Sequence, residues 1–414
     1  MTTTAGAPSD PLTDESVAAV TVDWLSAQAL LDDPYGSYAA LRNQGPVVWV
    51  PSVNRYLATS FAACVAIEAD QETFSATIGG TGATMARALG APPMLRKDDP
   101  QHSEERKVVN PTLRPKNIRA HWAPLFERNA AQHLAELLER GPDGADLNRD
   151  YAGPLAAHNL VDMLGFRDVL PEDMRRWSHA FIAGIGNLGD DPTIWARCDA
   201  AQDEVDTLLD ELIPLYRANP NSSITSALAN SPQQTENVYA NVKLVISGGM
   251  NEPQHLLTNM VWALTQHPEQ RARVIADPSQ WLAVFDEALR WQSPIGMYPR
   301  ETTRATVLDG VALPAGASIG VVVAAANRDP DAFDRPEEFD STREKRQHLG
   351  FGAGVHLCAG HWAARVSIGE IAVPLLYRTL GGFRTDPRRA ATWGGWVFRG
   401  LTALPVTWDA VSDD

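Results

Sequence analysis

The spacing of apolar residues changes along this chain and divides it into three regions. Near the start, Val47–Val50 and Arg55–Thr59 are short β-branched and aromatic runs separated by Pro51–Asn54, which predicts a hairpin. Between about Pro100 and Arg290, apolar residues recur at helical spacing, as in APLFERNAAQHLAELLER, which predicts a stack of helices. Further along, apolar and polar residues alternate in ATVLDGVALPAGASIGVVVAAANRDP, where Gly and Pro mark turns between predicted strands. The pattern therefore predicts a mainly α fold with small β-sheets near the two ends.

Composition fits one globular unit. The 414 residues are 44% hydrophobic and 21% charged, with no internal repeat and no linker rich in Gly, Ser and Pro. We expect a disordered leader over residues 1–20 and a single domain over residues 21–414. The segment MTTTAGAPSDPLTDES lacks a basic region followed by an apolar core, so we expect a cytoplasmic protein. The formal net charge of −16 argues against general binding to nucleic acid or an anionic membrane.

Cysteine is scarce, and one cysteine lies in an unusual setting. Cys64, Cys198 and Cys358 are scattered and odd in number, which argues against a disulfide framework or a CxxC zinc site. Cys358 lies among glycines in FGAGVHLCAG, just before the helix-compatible AGHWAARVSIGEIAV. One interpretation is a buried structural thiol. The other is a thiolate favoured by a helix N-terminus, where it could act as a nucleophile or a metal ligand.

The motif FGAGVHLCAG resembles the haem-binding loop of the cytochrome P450 superfamily, with Phe351, Gly354, Cys358 and Gly360 in register. The resemblance implies the cytochrome P450 fold, bound haem b and Cys358 as the axial ligand of the haem iron. It also implies that dioxygen is the co-substrate.

Two upstream segments agree with this resemblance. DEALRW places Glu287 and Arg290 three residues apart, on one helical face, where a surface ion pair is the simplest interpretation. AANRDPDAFDRPEEFDSTR is similar to the family's meander segment, which implies that Arg343 completes a Glu-Arg-Arg cluster. The similarity extends from about residue 33 to residue 408.

Haem propionates are anionic and need nearby cations or hydrogen-bond donors. By resemblance, His102 and Arg106 in DDPQHSEERKVV, Arg300 in MYPRET and His356 in the cysteine loop are the expected propionate contacts. Singly, each is also typical of a solvated surface charge.

The segment expected to face oxygen departs from the family pattern of small-Gly-x-acid-Thr. In VISGGMNEPQHLL, Gly248 and Gly249 take the small positions, Asn251 the acid position and Glu252 the alcohol position. Our hypothesis is that Glu252 carries protons or orders the water that does, with Asn251 and Gly249 as the other candidate catalytic positions. Pro253 is expected to kink the helix here. The plainer interpretation makes Glu252 a surface carboxylate beside a helix break.

GGMNEP and the C-terminal WGGWVFRGLTALPVTW are similar to the bacterial branch that O-demethylates methoxyphenols, the guaiacol O-demethylase type. That similarity implies oxidation of an aryl methyl ether to a phenol and formaldehyde. Gly184, Gly186 and Gly189 around Ile185 are typical of a flexible lid and equally of an ordinary loop. Where members of that branch have a bulky aromatic in the lid, the similarity implies that Ile185 leaves room for a larger substituent para to the hydroxyl. The expected lining residues, each equally compatible with core packing, are Phe74, Ile78, Ile185, Val245, Gly248, Ile295, Met297 and Phe398.

No GxGxxG motif follows a strand and opens a helix, so electrons must come from a partner. The resemblance implies a reductase carrying FAD and a [2Fe–2S] cluster and fed by NAD(P)H, or a ferredoxin with its reductase. An acidic partner would suit a basic face on the cysteine side of the haem. The predicted members of that face are Arg106, Lys107, Arg114, Lys116, Arg343, Lys345, Arg346 and Arg365.

Four alternatives stay open on sequence alone. A P450 hydroxylase of another small apolar substrate and a peroxide-driven peroxygenase would use the same haem. A haem sensor or electron carrier would bind haem without turnover. A cysteine-nucleophile hydrolase would need His356, His361 or another histidine to meet Cys358 in space.

Overall fold

The structure is a computed structural model that describes residues 16–79 and 81–412. Helices dominate, which confirms the mainly α prediction. Their bounds are α1 Ala27–Asp32, α2 Pro34–Arg42, α3 Phe61–Ala69, α4 Thr81–Leu89, α5 Gln101–Val109, α6 Pro115–Asn117, α7 Ala123–Arg140, α8 Gly153–Leu164, α9 Pro171–Ile185, α10 Pro192–Ala218, α11 Ile224–Ala229, α12 Thr235–Gln266, α13 Pro268–Ala276, α14 Trp281–Trp291, α15 Val323–Ala326, α16 His361–Ala364 and α17 Val373–Thr379. A π-helical segment, Arg365–Ala372, joins α16 to α17.

The strands lie near the two ends of the sequence, as predicted. They are β1 Val17–Ala18, β2 Val20–Thr21, β3 Val47–Val50, β4 Arg55–Ala58, β5 Phe74–Ser75, β6 Tyr298–Thr302, β7 Thr306–Leu308, β8 Val311–Leu313, β9 Ser318–Val321, β10 Leu380–Gly381, β11 Arg384–Thr385, β12 Thr392–Gly394, β13 Gly400–Ala403, β14 Val406–Thr407 and β15 Ala410–Val411. The largest sheet has the order β2-β3-β4-β9-β6-β5.

The predicted hairpin is present as β3 and β4. The strands are antiparallel, with Val47 opposite Ala58 and Val50 opposite Arg55. The connection contains a 3₁₀ turn at Pro51–Val53 and then Asn54, whose φ of 48° lies in the left-handed region that Asn tolerates. The turn residues therefore fix both the reversal and the register.

The predicted leader falls largely outside the described residues, which begin at residue 16. Val17–Ala18 pairs in parallel with β8, and Val20–Thr21 pairs in parallel with β3. The ordered chain therefore extends into the last residues of the predicted leader.

Helix α12 runs through the centre of the helical stack and positions the site. It packs against α8, α9 and α14, and most of its residues are buried. The helix is continuous from Thr235 to Gln266, so Pro253 lies inside it and no break follows Glu252. Because proline has no N–H, the carbonyl of Gly249 loses its usual helical donor without ending the helix.

Within the described residues, no helix is long and apolar enough to cross a membrane. Buried apolar side chains pack together in several core clusters. Leu256, Phe285 and Leu376 belong to one cluster, and Leu160, Phe181 and Ile246 to another.

Candidate functional site

The loop Phe351–Gly360 has two backbone positions that require glycine. Gly352 and Gly354 have φ values of 69° and 60°, which side chains with a Cβ rarely adopt. A Cβ on Gly354 would also overlap the carbonyl oxygen of Glu68 at the end of α3. Gly360 differs, because its φ of −83° is ordinary. Position 360 therefore does not require glycine for its backbone conformation, and a Cβ there would merely contact the Cys358 sulfur at 3.9 Å.

Cys358 lies directly before α16, as predicted. Its backbone N–H donates to the Phe351 carbonyl at 2.9 Å, and the N–H groups of Gly360 and His361 point at its sulfur. Burial nevertheless raises the pKa of the Cys358 thiol above its ordinary value, and the charge of Glu252 raises that pKa further. The helix start alone therefore does not yield the predicted thiolate. A metal cation at the sulfur would supply the missing stabilisation.

The Glu287–Arg290 pair is buried in the structure, so the surface interpretation is wrong. The two side chains form bidentate hydrogen bonds at 2.7 and 2.8 Å, and the Arg343 Nε lies 3.5 Å from Glu287 Oε1. Arg290 also donates to the carbonyls of Asn327, Pro336 and Glu338. These contacts hold the meander segment against α14, beneath the cysteine loop.

The predicted propionate residues converge on one buried basic cluster. The rings of His102 and His356 lie 4.0 Å apart between centroids, and Arg300 is 4% exposed. Arg300 forms an ion pair with Glu68 at 3.0 Å, and Glu68 also accepts the backbone N–H of Ala353. One carboxylate thus connects the arginine to the cysteine loop.

Arg106 lies at the edge of this cluster. It donates to the Leu357 carbonyl at 2.9 Å and to Asn110 Oδ1 at 3.0 Å. Its charge also counteracts the rise in the pKa of the Cys358 thiol. The hydrogen bond to Leu357 fastens the cysteine loop to α5, and the bond to Asn110 orients the guanidinium, so Arg106 already has partners in the protein.

Sequence reasoning missed two members of the basic cluster, Arg96 and Arg55. Arg96 is 8% exposed, and its Nε and Nη1 have no hydrogen-bond partner. Burial and repulsion from Arg300 and Arg55 lower the pKa of Arg96 to about 9. The segment MLRK carries no recognisable motif. Its apolar residues Met94 and Leu95 were the available signal that this arginine points inward.

Unpartnered polar atoms in the cluster fit an anionic group. Both ring nitrogens of His102 and of His356 are buried without a hydrogen-bond partner, as are two nitrogens of Arg96. Burial lowers the pKa of both imidazoles, so they are neutral and each offers one N–H. Arg96, Arg300 and Arg55 outnumber the one buried carboxylate beside them, Glu68, so this cluster would favour anionic groups such as the haem propionates.

On the opposite side, α12 presents four predicted positions. Gly248 is exposed, and a Cβ there would meet open space. Gly249 differs, because a Cβ there would lie 2.8 Å from a methyl group of Leu160 on α8. The predicted catalytic position Gly249 is therefore explained by helix packing. Asn251 is 9% exposed.

Glu252 lies in a protein environment that disfavours its charge. Its Oε2 is buried without a hydrogen-bond partner, and burial raises the pKa of Glu252 to about 8. The charge of Glu252 raises the pKa of the Cys358 thiol, which indicates that this turn of α12 faces the cysteine loop. Glu252 is therefore not the surface carboxylate of the plainer interpretation. It is a carboxyl group that stays largely protonated at neutral pH.

Several predicted lining residues already have packing roles. Phe74 is in the sheet core with Ile67 and Ala58, and Met297 packs with Tyr38 and Leu57. Ile295 and Phe398 form an isolated antiparallel bridge, which brings them side by side. Val245 is half-buried. It lies three residues before Gly248 and seven before Glu252, and therefore on the same face of α12.

The predicted lid around Ile185 is partly a packing feature. Ile185 ends α9, and its carbonyl accepts a hydrogen bond from the Thr84 hydroxyl at 2.9 Å. A Cβ on Gly184 would lie 2.6 Å from the Cys198 sulfur. Gly184 is therefore required by close packing of α9 on α10, and not by lid flexibility. Ile78 is half-buried against Gly82 of α4.

The predicted basic face is smaller than expected. Arg365 forms an ion pair with Asp286, and Arg343 is held in the Glu287 cluster, so neither is free for a partner. Apolar side chains of the cysteine loop and α16 are exposed beside it, namely Val355, Leu357 and Trp362. The exposed basic residues that remain are Lys107, Arg114, Lys116, Lys345 and Arg346.

The other two cysteines are structural. The Cys64 thiol contacts the Ala58 carbonyl at 3.3 Å, and the Cys198 thiol contacts the Ala88 carbonyl at 3.6 Å. Burial raises the pKa of both thiols, which keeps them protonated.

Comparisons with known proteins agree with this site. Residues 281–378, which include the Glu287 cluster and the cysteine loop, match the model of the family described as Cytochrome P450. The chain is 30% identical over 391 residues to Cytochrome P450 monooxygenase PikC of Streptomyces venezuelae, covering 91% of each chain. It is 27% identical to Cytochrome p450 CYP199A2 of Rhodopseudomonas palustris, covering 90% of each. Among solved structures, Cytochrome P450 CYP109Q5 from Chondromyces apiculatus matches with a TM-score of 0.84 at 24% identity, over 95% of this chain and all of that one.

Proposed function

This chain belongs to the cytochrome P450 family, and from that premise we propose that it is a monooxygenase that O-demethylates a small, neutral methoxy-substituted aromatic. Guaiacol and 4-alkylguaiacols are the proposed substrate class. Family membership implies bound haem and the use of dioxygen. The finer assignment rests on the residues that face the haem cavity.

We assign haem b to the space between the cysteine loop and α12. Cys358 would hold the iron, and Arg96, His102 and His356 would hold the propionates through atoms that lack partners in the protein, beside Arg300, which pairs with Glu68. When bound, this group supplies activation of dioxygen and removal of hydrogen from the substrate's methyl carbon. The protein's own residues then determine which molecule is admitted and how protons arrive.

The observation that carries the proposal is the setting of Glu252. A carboxyl group with a raised pKa can donate a proton at neutral pH and recover it from water. It therefore serves the role that an acid and an alcohol share in the usual family pattern. The Glu-Pro pair that provides it is also the feature shared with the guaiacol-type branch.

Charge favours a neutral substrate over a methoxybenzoate. The cations of the basic cluster lie where we assign the propionates, so we do not expect them to bind a substrate carboxylate. Val245, Ile295 and Phe398 offer apolar surface against which a flat ring can pack. A phenol ring with a methoxy group meets both conditions.

The proposed reaction consumes one molecule of dioxygen and needs two electrons from an external reductant. One oxygen atom of dioxygen is inserted into a methyl C–H bond, and the resulting hemiacetal breaks its C–O bond to give a phenol and formaldehyde. The other oxygen atom leaves as water, which takes up two protons and two electrons. NAD(P)H supplies those electrons through a reductase with FAD and [2Fe–2S], or through a ferredoxin and its reductase, in the cytoplasm.

A substrate panel tests this proposal. Guaiacol, 4-alkylguaiacols and methoxybenzoates should be titrated for a low-spin to high-spin shift, and formaldehyde should then be measured per NAD(P)H consumed. We expect shifts and near-stoichiometric formaldehyde with the neutral phenols and neither with the benzoates. Hydroxylated products without formaldehyde would identify a hydroxylase, and turnover with peroxide alone would identify a peroxygenase. Either result would overturn the assignment.

A further inference from the structure

Two histidines on neighbouring helices face each other in a part of the molecule that takes no part in the proposed reaction. His133 lies on α7 and His158 on α8, and His133 Nε2 is 3.2 Å from His158 Nδ1. The rings meet edge to face, with 5.4 Å between their centroids. The other nitrogen of His133, Nδ1, lies 2.8 Å from a carboxylate oxygen of Glu136. Because His133 is only 3% exposed, these two contacts are the partners of its two nitrogens.

The contacts determine which nitrogens carry protons. Burial opposes the shift, but hydrogen bonds from Gln132 and His133 lower the pKa of Glu136, so this carboxylate is ionised and can only accept. His133 Nδ1 must therefore be a donor. In a neutral imidazole the second nitrogen then has no proton, so His133 Nε2 accepts and His158 Nδ1 donates. His158 Nε2 is thus the nitrogen of the pair that is open to a proton.

The pair has room for one added proton and not for two. With one, the charged ring donates and the neutral ring still accepts, so the contact between His133 and His158 survives. With two, both facing nitrogens carry protons, and two cations meet with no acceptor between them. In the unfolded chain the two histidines titrate independently near pH 6.5, so that state takes up both protons.

Charged groups of both helices surround the pair. Asp162, one turn after His158 on α8, forms an ion pair with Arg128 of α7 at 2.9 Å. Burial is the largest influence on His158 and lowers its pKa. The carboxylates of Asp162 and Glu136 act against this shift, and the charges of His133 and Arg128 add to it. The elements that pack on the outer sides of α7 and α8 supply none of these leading effects.

We propose that His133 and His158 form a clasp between α7 and α8, which holds with one added proton or none and opens in acid when a second proton binds. The clasp involves groups of these two helices alone, so it does not depend on the substrate. Leu160, two residues after His158, lies against Gly249 of α12, since a Cβ at position 249 would be 2.8 Å from a leucine methyl group. Opening the clasp therefore loosens the support of the helix that faces the cysteine loop.

The sign of the pH dependence follows from the proton count. In acid the folded pair holds fewer protons than the unfolded chain does. The contribution of the pair to stability is therefore complete above the ordinary histidine pKa of 6.5 and is lost as pH falls through the lowered pKa of His158. Each proton that the folded state lacks raises the unfolding equilibrium constant by up to about 10-fold per pH unit.

The primary test reads the two rings directly by nitrogen NMR. The ferrous carbon monoxide form of the holoenzyme, with ¹⁵N-labelled histidine, should be titrated from about pH 8 to about pH 5.5. The signals are assigned by their loss in His133→Asn and His158→Gln. We expect both rings in the Nδ1–H tautomer at the upper pH, and uptake of one proton by the pair while the protein stays folded. Two cationic rings in the folded protein, or an Nε2–H tautomer of either ring at the upper pH, would overturn the clasp.

Unfolding as a function of pH gives a second, independent test. The amide of His158→Gln can donate to His133 Nε2 and, after rotation, can accept from it, so this contact tolerates either protonation state. Below about pH 6.5, urea titrations should show the unfolding equilibrium constant of the parent rising up to about 10-fold per pH unit more steeply than that of His158→Gln. His121→Asn, at an exposed histidine, should follow the parent. Parallel curves for the parent and His158→Gln would contradict the proposal, and the NMR titration of the parent decides the question if this variant does not fold.

Discussion

Two sets of arginines in this molecule differ in their partners. Arg290 is buried among acceptors, since Glu287 and three backbone carbonyls take up its N–H groups, and the Nε of the half-buried Arg343 lies 3.5 Å from Glu287 Oε1. Arg300 pairs with the carboxylate of Glu68, and Arg96 has two nitrogens without any acceptor.

The difference separates charges that build the fold from charges that await a ligand. Burying an unpaired guanidinium is unfavourable, so a chain keeps one only where something else supplies the counter-charge. The Glu287 cluster should therefore affect unfolding whether or not haem is bound. The Arg96 cluster should affect haem retention and have little effect on the fold.

The largest effect is expected from Glu287→Ala. Removing this carboxylate leaves Arg290 buried and unpaired, which should lower the free energy of unfolding by about 3–5 kcal/mol. Urea unfolding of apo and holo protein measures it, and the loss should be similar in both. The matched control is Glu338→Ala, which removes an exposed ion pair with Arg335 and should cost less than about 1 kcal/mol. Equal effects at the two sites would contradict the distinction.

The next effect is expected from Arg96→Met. Haem transfer to an acceptor globin should become about 10- to 100-fold faster, because the variant loses the charged hydrogen bond from the Arg96 guanidinium to a propionate. The free energy of unfolding of the apo protein should stay the same or rise, because an unpaired charge is removed. Arg328→Met is the control, since Arg328 is buried but bonded to the Trp291 carbonyl and to Glu337. Arg328→Met should lower the free energy of unfolding of the apo protein. An unchanged free energy in Arg328→Met, or a lowered one in Arg96→Met, would contradict the assignment of Arg96 to a ligand.

Glu252→Gln should act through pH. The pKa of Glu252 is raised from 4.5 to about 8, so the folded state holds a proton that the unfolded state has lost in this window. Its contribution to stability is therefore complete below pH 4.5 and declines as pH rises to about 8. The Tm of Glu252→Gln relative to the parent should increase across that range, and peroxide release during turnover should also increase. A difference in Tm that does not vary with pH would show that Glu252 is not protonated.

The smallest effect is expected at the exposed basic face. Neutralising Lys107 and Arg114 together should slow reduction by an acidic partner about 2- to 5-fold and flatten its salt dependence, since each exposed pair is worth about 0.2–1 kcal/mol. The control neutralises Arg167 and Arg197, which are exposed elsewhere. Stopped-flow reduction at several ionic strengths measures both. If neutralising Lys107 and Arg114 slows reduction no more than neutralising the control residues does, the partner does not dock on this face.

The sequence predicted the parts of the site that depend on local spacing. The cysteine loop, the Glu287–Arg290 pair and the hairpin β3–β4 are short patterns whose geometry follows from adjacent residues. The mainly α architecture followed from helical periodicity. The grouping of His102, Arg300 and His356 followed from the family resemblance, because nothing local brings these distant residues together.

What could not be predicted depends on contacts between distant elements. Arg96 is indistinguishable from a surface arginine until burial and the absence of an acceptor are known. Gly249 and Gly184 were assigned to the haem and to a lid, but Leu160 and Cys198 explain them. Ser178 and Ser247 are distant in the sequence, and the hydrogen bond between them depends on the packing of α9 on α12.

Glu68 joins the Arg96 cluster to the cysteine loop. Its carboxylate meets Arg300, its side chain receives the Ala353 N–H, and its own carbonyl lies where a Cβ on Gly354 would be. The end of α3 therefore fixes the cysteine loop through both the side chain and the backbone of one residue. A displacement of α3 would move Arg300 and the cysteine loop together.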